Sequence, residues 1–251
     1  MTQSEALNIL KTGNNVFLTG APGSGKTHTL RAYIDYLKKN NIEVAVTAST
    51  GIAATHLGGV TIHSWSGLGI RDNLTPQDID SLETKSYLFK RYESTKVLII
   101  DEISMLHHFR FDLFDQLARS FKRNDRPFGG MQVVLCGDFF QLPPVARAGE
   151  PESYFAYRSK VWNELRLKVC YLEEQHRQDD DNFLAVLNSI RENDVGTETL
   201  ECLKERYMAE IDSIIQPTKL FTHNIDVDRI NEEELDKLTS YPKIFQTMTK
   251  G

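Results

Sequence analysis

Short, continuous apolar runs alternate with amphipathic stretches along this chain. The runs Val16-Phe17-Leu18, Val44-Ala45-Val46, Val97-Leu98-Ile99-Ile100 and Val133-Val134-Leu135 are short and lack polar alternation. Such runs predict strands buried on both faces. Between them, Leu30, Tyr33, Ile34 and Leu37 recur at helical spacing, as do Phe114, Leu117, Ala118 and Phe121. A first helix carrying Ala6, Leu7 and Leu10 on one face is expected to stop at Gly13. Strands and helices in this alternation predict an α/β fold built on a parallel sheet.

Residues 61–93 break the rhythm. They are polar, contain Gly67, Gly69 and Pro76, and read as a small insertion at the edge of the sheet. Farther along, a strand is expected over 167–172 and a helix around Phe183, Val186, Leu187 and Ile190. A short strand, Lys219-Leu220-Phe221, and a helix with Val227, Ile230, Leu235 and Leu238 complete the pattern. No internal repeat or low-complexity tract interrupts it.

Composition narrows the class. With 40% hydrophobic and 25% charged residues the 251-residue chain has the balance of an ordinary globular protein. No apolar run approaches the ~20 residues that span a bilayer, and the first residues have no signal-peptide pattern. Three scattered cysteines, Cys136, Cys170 and Cys202, fit neither a disulfide framework nor a zinc site. Reduced thiols are expected, as in the cytoplasm, or the nucleus or mitochondrion of a eukaryote. The net charge of −6 gives no hint of a polyanion partner, but it is uneven. Residues 1–150 hold 16 Lys+Arg against 15 Asp+Glu, so the acidic excess lies after them. Local grooves, not total charge, then decide phosphate binding.

Gly20-Ala21-Pro22-Gly23-Ser24-Gly25-Lys26-Thr27 has the G-x-x-x-x-G-K-[ST] spacing of a phosphate loop, between an expected strand and an expected helix. Glycines let backbone N–H groups turn inward around phosphates, and the helix that follows points its positive end at them. Lys26 is expected to neutralise the β- and γ-phosphates, and Thr27 to give Mg²⁺ a hydroxyl ligand. His28 stands just behind the loop and is counted with the nucleotide-contacting positions. The expected strand 97–100 runs into Asp101-Glu102, at the carboxyl end where such sheets carry ligands. Asp101 is expected to hold Mg²⁺, and Glu102 to polarise the attacking water as general base. ATP and Mg²⁺ are therefore the expected ligands.

Further motifs occur in a fixed order: Thr50-Gly51-Ile52-Ala53-Ala54, Thr61-Ile62-His63-Ser64-Trp65, Asp101-Glu102-Ile103-Ser104-Met105 and 137–145, Gly-Asp-Phe-Phe-Gln-Leu-Pro-Pro-Val. Together with Phe128-Gly129-Gly130, Gln175-His176-Arg177-Gln178 and Thr222-His223-Asn224, they closely resemble the Pif-one branch of the superfamily-one 5′-to-3′ DNA helicases, relatives of RecD. The resemblance runs from Gln3 to about Leu235.

The resemblance implies a P-loop NTPase (RecA-like) domain over 1–184 with an inserted subdomain at about 61–93. Residues 185–251 would begin a second RecA-like domain, cut short. It implies that Gln3 reads the adenine edge, that Gln141 senses the γ-phosphate, and that Arg177 stabilises transition-state charge. Single-stranded DNA, and duplex or forked DNA, are the implied partners of a monomer. Contacts are expected from Thr50, Gly51, Thr222 and Asn224, with His63 and Trp65 stacking on bases. A core role for Trp65 is an equal alternative. His107 and His108 are expected to be solvated. The family's later motifs, including a second arginine, are not found before Gly251, so the chain is expected to be the N-terminal part of a helicase. Two readings compete: an ATPase coupled to DNA, and a nucleotide-responsive DNA-binding module without independent turnover. An unrelated phosphate-loop ATPase leaves the Thr50 and His63 motifs unexplained.

Overall fold

A computed structural model describes residues 1–145, 154–174, 180–209, 218–241, 243, 245 and 246. The elements follow as α1 (Gln3–Lys11), β1 (Val16–Gly20), α2 (Lys26–Lys39), β2 (Val44–Ala48), α3 (Gly51–His56), β3 (Val60–Thr61), α4 (Ile62–Ser66), α5 (Pro76–Glu83) and α6 (Ser86–Ser94). Then come β4 (Val97–Asp101), α7 (His108–Lys122), β5 (Gln132–Cys136), α8 (Lys160–Glu164), β6 (Lys168–Leu172), α9 (Asp181–Glu192), α10 (Thr197–Arg206) and α11 (Asn224–Asp236). By its contacts the chain divides into two compact units, Met1–Thr199 and Leu200–Gly251.

The first unit is a six-stranded sheet in the order β3-β2-β4-β5-β1-β6. All of its pairings are parallel. Alternate residues of each central strand feed two separate cores. Phe17, Leu98, Ile100, Val133 and Leu135 face one layer of helices, while Val16, Leu18, Val97, Ile99, Val134 and Cys136 face the other. This two-sided burial explains why the strands read as unbroken apolar runs. The second layer is α1 and α2, which contribute Ala6, Leu10, Leu30, Tyr33, Ile34 and Leu37. Thr2 and Glu5 form a capping box at the start of α1, and Gly13, with φ at +80°, turns the chain away after its end.

The segment 61–93 is more than a polar appendage. After β3 closes the sheet edge, it forms α4, α5 and α6, and Ile62, Trp65, Leu68, Leu82, Leu88 and Tyr92 enter the first core. Tyr92 is fully buried, stacks on Phe121 with ring centroids 4.5 Å apart, and donates its hydroxyl proton to the Ser66 carbonyl. The charged residues of these short helices lie on their outer faces, which hid the helical period. Thr75 and Asp78 form a capping box before Pro76.

α10, which begins in the first unit, and α11 of the second bury none of their residues fully. The strand expected at Lys219-Leu220-Phe221 does not form: the segment is irregular, and no strand among the described residues pairs with it. Among the described residues no helix is long and apolar enough to cross a membrane.

If 61–93 is core rather than appendage, Tyr92→Ala should cost about 3–5 kcal/mol in urea unfolding, the cost of a truncated buried aromatic. A loss below about 1 kcal/mol would show that the segment contributes little to the fold.

Candidate functional site

The carboxyl ends of β1, β2, β4 and β5 deliver the predicted chemistry to one edge of the sheet. After β1 the chain makes the tight loop 20–25 and enters α2 at Lys26. Gly25 has φ at +86°, and a Cβ there would collide with the Gln3 amide, so Gln3 packs directly against the loop. A Cβ at Gly20 would lie 2.6 Å from the Leu172 carbonyl oxygen and 2.7 Å from Ser24 Oγ. The loop can therefore close only with glycine at these two places. The Lys26 ammonium donates to the carbonyls of Gly20 at 2.8 Å and Ala21 at 3.0 Å, which holds it at the mouth of the loop. Ser24 Oγ is fully buried with no hydrogen-bond partner among the described residues. A cavity of about 500 Å³ opens here, lined by Pro22, Gly23, Gly25, Lys26, Thr27, His28, Glu102 and Gln141.

Asp101 ends β4 and is almost fully buried. Its carboxylate accepts the Glu102 N–H at 2.9 Å and a hydrogen bond from the Cys136 thiol. Burial raises its pKa, against those two bonds and the Lys26 charge. Glu102 is raised as well, by burial first and then by the Asp101 charge, with Lys26 opposing. Glu102 adopts left-handed φ/ψ values of 53° and 45°, unusual for a residue with a side chain. Ser49, at the end of β2, fastens this kink. Its hydroxyl donates to the Glu102 carbonyl at 2.8 Å, and its N–H to the Asp101 carbonyl at 3.1 Å.

Gln141 reaches the same cavity from the loop after β5. Its side-chain amide donates to Asp138 at 3.1 Å. Asp138 is fully buried and clasped by both guanidinium nitrogens of Arg191, at 2.7 and 2.9 Å. Burial works to raise the Asp138 pKa, but Arg191, Gln141 and the Phe140 N–H together hold it below the usual carboxylate range. Sequence reasoning missed Ser49, Cys136, Asp138 and Arg191 as parts of the site. Arg191 did leave a trace, since it continues the Phe183, Leu187 spacing of an otherwise apolar helix face.

A second cavity of about 690 Å³ lies beside β2. Ser49, Thr50, Thr61, His63, Met105 and Arg110 are among its lining residues. Thr50 caps α3, its hydroxyl accepting the Ala53 N–H, and Gly51 is exposed. His63 is half-buried with its ring edge-on to Phe114. Trp65 is not a platform for a base: it is only 6% exposed and packs on Tyr92, so its ring faces belong to the core. His107, expected in solvent, is buried and lies 3.2 Å from the Val145 carbonyl. Thr222 and Asn224 belong to the second unit, where they are exposed, and Thr222 pairs with His223. Arg177 and its neighbours 175–179 lie outside the described residues.

With this geometry in place, the comparisons with known proteins are direct. The profile of the PIF1-like helicase family matches residues 3–199. This chain belongs to that family. An ATP-dependent DNA helicase Pif1 from Psychrobacter is 48% identical over 263 residues, covering all of this chain and 39% of the relative. The crystal structure of the Pif1 helicase from Candida albicans superposes with a TM-score of 0.87 at 36% identity, over 94% of this chain and 54% of that one. The Pif1 helicase from Bacteroides, in complex with ADP-AlF3 and single-stranded DNA, gives 0.82 at 35% identity, over 95% and 57%. The chain thus spans about two-fifths of the length of that Psychrobacter relative. These likenesses confirm the PIF1-like fold read from the motifs.

The loop residues fit a nucleotide phosphate. A Cβ at Gly20 or Gly25 would intrude on the loop, the buried Ser24 hydroxyl has no partner among the described residues, and the Thr27 hydroxyl stands in the lining beside Lys26. Among the described residues no group of three or more His, Cys, Asp or Glu side chains could hold a metal ion.

The raised pKa of Glu102 has a signed consequence. The native state keeps this proton to higher pH than the unfolded chain, so stability falls as pH rises through the interval between the two pKa values. In protein free of nucleotide and metal, Glu102→Gln should therefore be more stable than the parent at pH 7. The gain should shrink towards zero once the pH drops below the unfolded carboxyl pKa. A constant difference across that range in denaturant melts would contradict the assigned cause.

Proposed function

We propose that this chain binds Mg-ATP in the cavity at the phosphate loop and hydrolyses it in response to single-stranded DNA lying in the groove beside β2. It would thereby serve as the N-terminal motor portion of an ATP-dependent 5′-to-3′ DNA helicase that works on duplex or forked DNA. The observation that carries this reading is convergence: Lys26, Glu102 and Gln141 come from three strand ends to line one cavity. Ser49 ties the groove-lining end of β2 to the backbone of Glu102. On this reading residues 1–184 hold the ATP-binding domain and the second domain opens within 185–251, after α9, which packs in the first compact unit.

On this reading each side chain takes a role of its own. Loop N–H groups and Lys26 hold the β- and γ-phosphates, and Gln3, which packs at Gly25, meets the base. Thr27 and Asp101 would hold Mg²⁺, which when bound neutralises phosphate charge. Glu102, its pKa raised, is the general base for the attacking water. Gln141 orients that water or the γ-phosphate, and Arg177 stabilises the charge that develops on transfer. Thr50 and Gly51 meet DNA phosphates, and His63 lies against a base. Thr222 and Asn224 would extend the DNA contacts from the second unit.

The test is ATP hydrolysis by this chain with and without a thymidine oligonucleotide. DNA should stimulate turnover. Lys26→Ala should abolish nucleotide binding, while Glu102→Gln should keep binding and lower turnover by about 10²–10⁴-fold, the range for a lost general base. Binding of both ligands without turnover would instead favour the nucleotide-responsive binding module.

The groove makes a separate prediction. His63→Ala should weaken oligonucleotide binding by about 1–3 kcal/mol, as expected for a lost stacking partner. Trp65→Ala should lower stability and leave the DNA affinity of the folded protein unchanged. The reverse pattern, measured by fluorescence anisotropy and thermal melting, would move the DNA path away from His63.

A further inference from the structure

The Asp138 carboxylate is the meeting point of two elements that the reaction scheme above does not connect. From the loop after β5 it accepts the Gln141 side-chain amide and the Phe140 N–H. From α9 it receives the two-pronged Arg191 guanidinium, which also lies 4.5 Å from the Phe140 ring centroid. Arg191 is held from a further side by Tyr171 of β6. Asp138 is wholly buried and the Arg191 side chain is 16% exposed, so this is an enclosed ion pair rather than a surface one. Enclosure gives it geometric force. An unpaired carboxylate would be costly here, and Arg191 is the first of the partners that keep Asp138 ionised.

An ionised carboxylate accepts hydrogen bonds and cannot donate them. With Asp138 ionised, the Gln141 side chain must therefore turn its NH₂ towards Asp138. Its carbonyl oxygen is then the end left for the cavity, where Lys26 and Glu102 also stand. If the carboxylate swung away or became protonated, both orientations of the amide would be open.

We infer that Arg191 is a positioning residue for Gln141: by clamping Asp138 it fixes which end of the Gln141 amide faces the nucleotide cavity. The inference rests on the ATP-hydrolysis reading for its consequence in turnover, but the orientation itself is independent of that reading. Arg191 is the next-to-last residue of α9, just before the segment leading into α10. The clamp therefore ties the γ-phosphate side of the cavity to the last helix wholly inside the first unit.

Two measurements on the full chain test this. The first is the pair of Gln141 side-chain amide proton resonances in a ¹⁵N-labelled sample, assigned by loss in Gln141→Ala. In the parent they should be well separated, one proton being held by a carboxylate. In Arg191→Ala they should collapse towards free-amide positions, with Arg191→Lys intermediate because an ammonium cannot grip both oxygens. The second is steady-state ATP hydrolysis with saturating thymidine oligonucleotide. Arg191→Ala should lower kcat by about ten- to a hundredfold, the scale of a slightly misplaced catalytic group, with KM within about twofold. Adding it to Gln141→Ala should lower kcat no further, since both act through one amide. Unchanged Gln141 resonances in a folded Arg191→Ala protein overturn the inference, whether or not the parent turns over ATP. So do kcat losses that multiply in the double variant. If Arg191→Ala does not fold, Arg191→Lys gives the same two readings. A parent with separated resonances and no DNA-stimulated turnover would count against the hydrolysis reading alone.

Discussion

A parallel sheet presents the carboxyl ends of all its strands along one edge, and the chemistry of this molecule depends on that constraint. Because β4 lies between β2 and β5, and β5 lies beside β1, four loops distant in sequence become neighbours in space. Register does the rest. Ala48 pairs with Asp101, and Leu18 with Cys136, so the strands that carry the site end nearly level. The sheet can hold this arrangement because both its faces are dry. Apolar residues alternate between two cores, and a one-residue slip in any central strand would exchange them.

Charge at that edge is arranged by partner rather than by burial alone. Asp101, Glu102 and Asp138 are all withdrawn from water, yet their proton affinities diverge. Asp138 has a guanidinium on both oxygens and is held ionised, whereas burial and a neighbouring carboxylate push Glu102 the other way. Carboxylates with opposed affinities in one site can divide labour, one to hold a geometry and the other to exchange a proton. The left-handed backbone at Glu102, pinned by Ser49, is the strained element of the arrangement, and it lies where the groove and the nucleotide cavity share a strand end.

The helices α4–α6 show how a polar segment can still be structural. Each is short, so its apolar positions are few, but Ile62, Trp65, Leu82, Leu88 and Tyr92 converge on α7 to complete the first core. α4 also forms one wall of the groove through His63 and Ser64. Groove and core are thus two faces of the same few turns, and Trp65 and His63, two residues apart, fall on opposite sides.

The α/β class, the central strands, the main helices and the phosphate loop were legible in the sequence because each rests on a local signal: an apolar run, a 3.6-residue period, a glycine spacing. Lys26, Thr27, Asp101 and Glu102 were legible for the same reason, adjacent as they are to strands whose ends could be located. The motif resemblance, not spacing, pointed to Gln141. The helical content of 61–93 was not legible, since helices of one or two turns present too few apolar positions to show a period. Nor was the fate of Trp65 and His107, whose burial depends on partners far along the chain. Arg191, Ser49 and Cys136 became part of the site only in three dimensions. Each acts by meeting a group from another strand or helix, and a pairing between distant segments leaves no mark in the local pattern of either one.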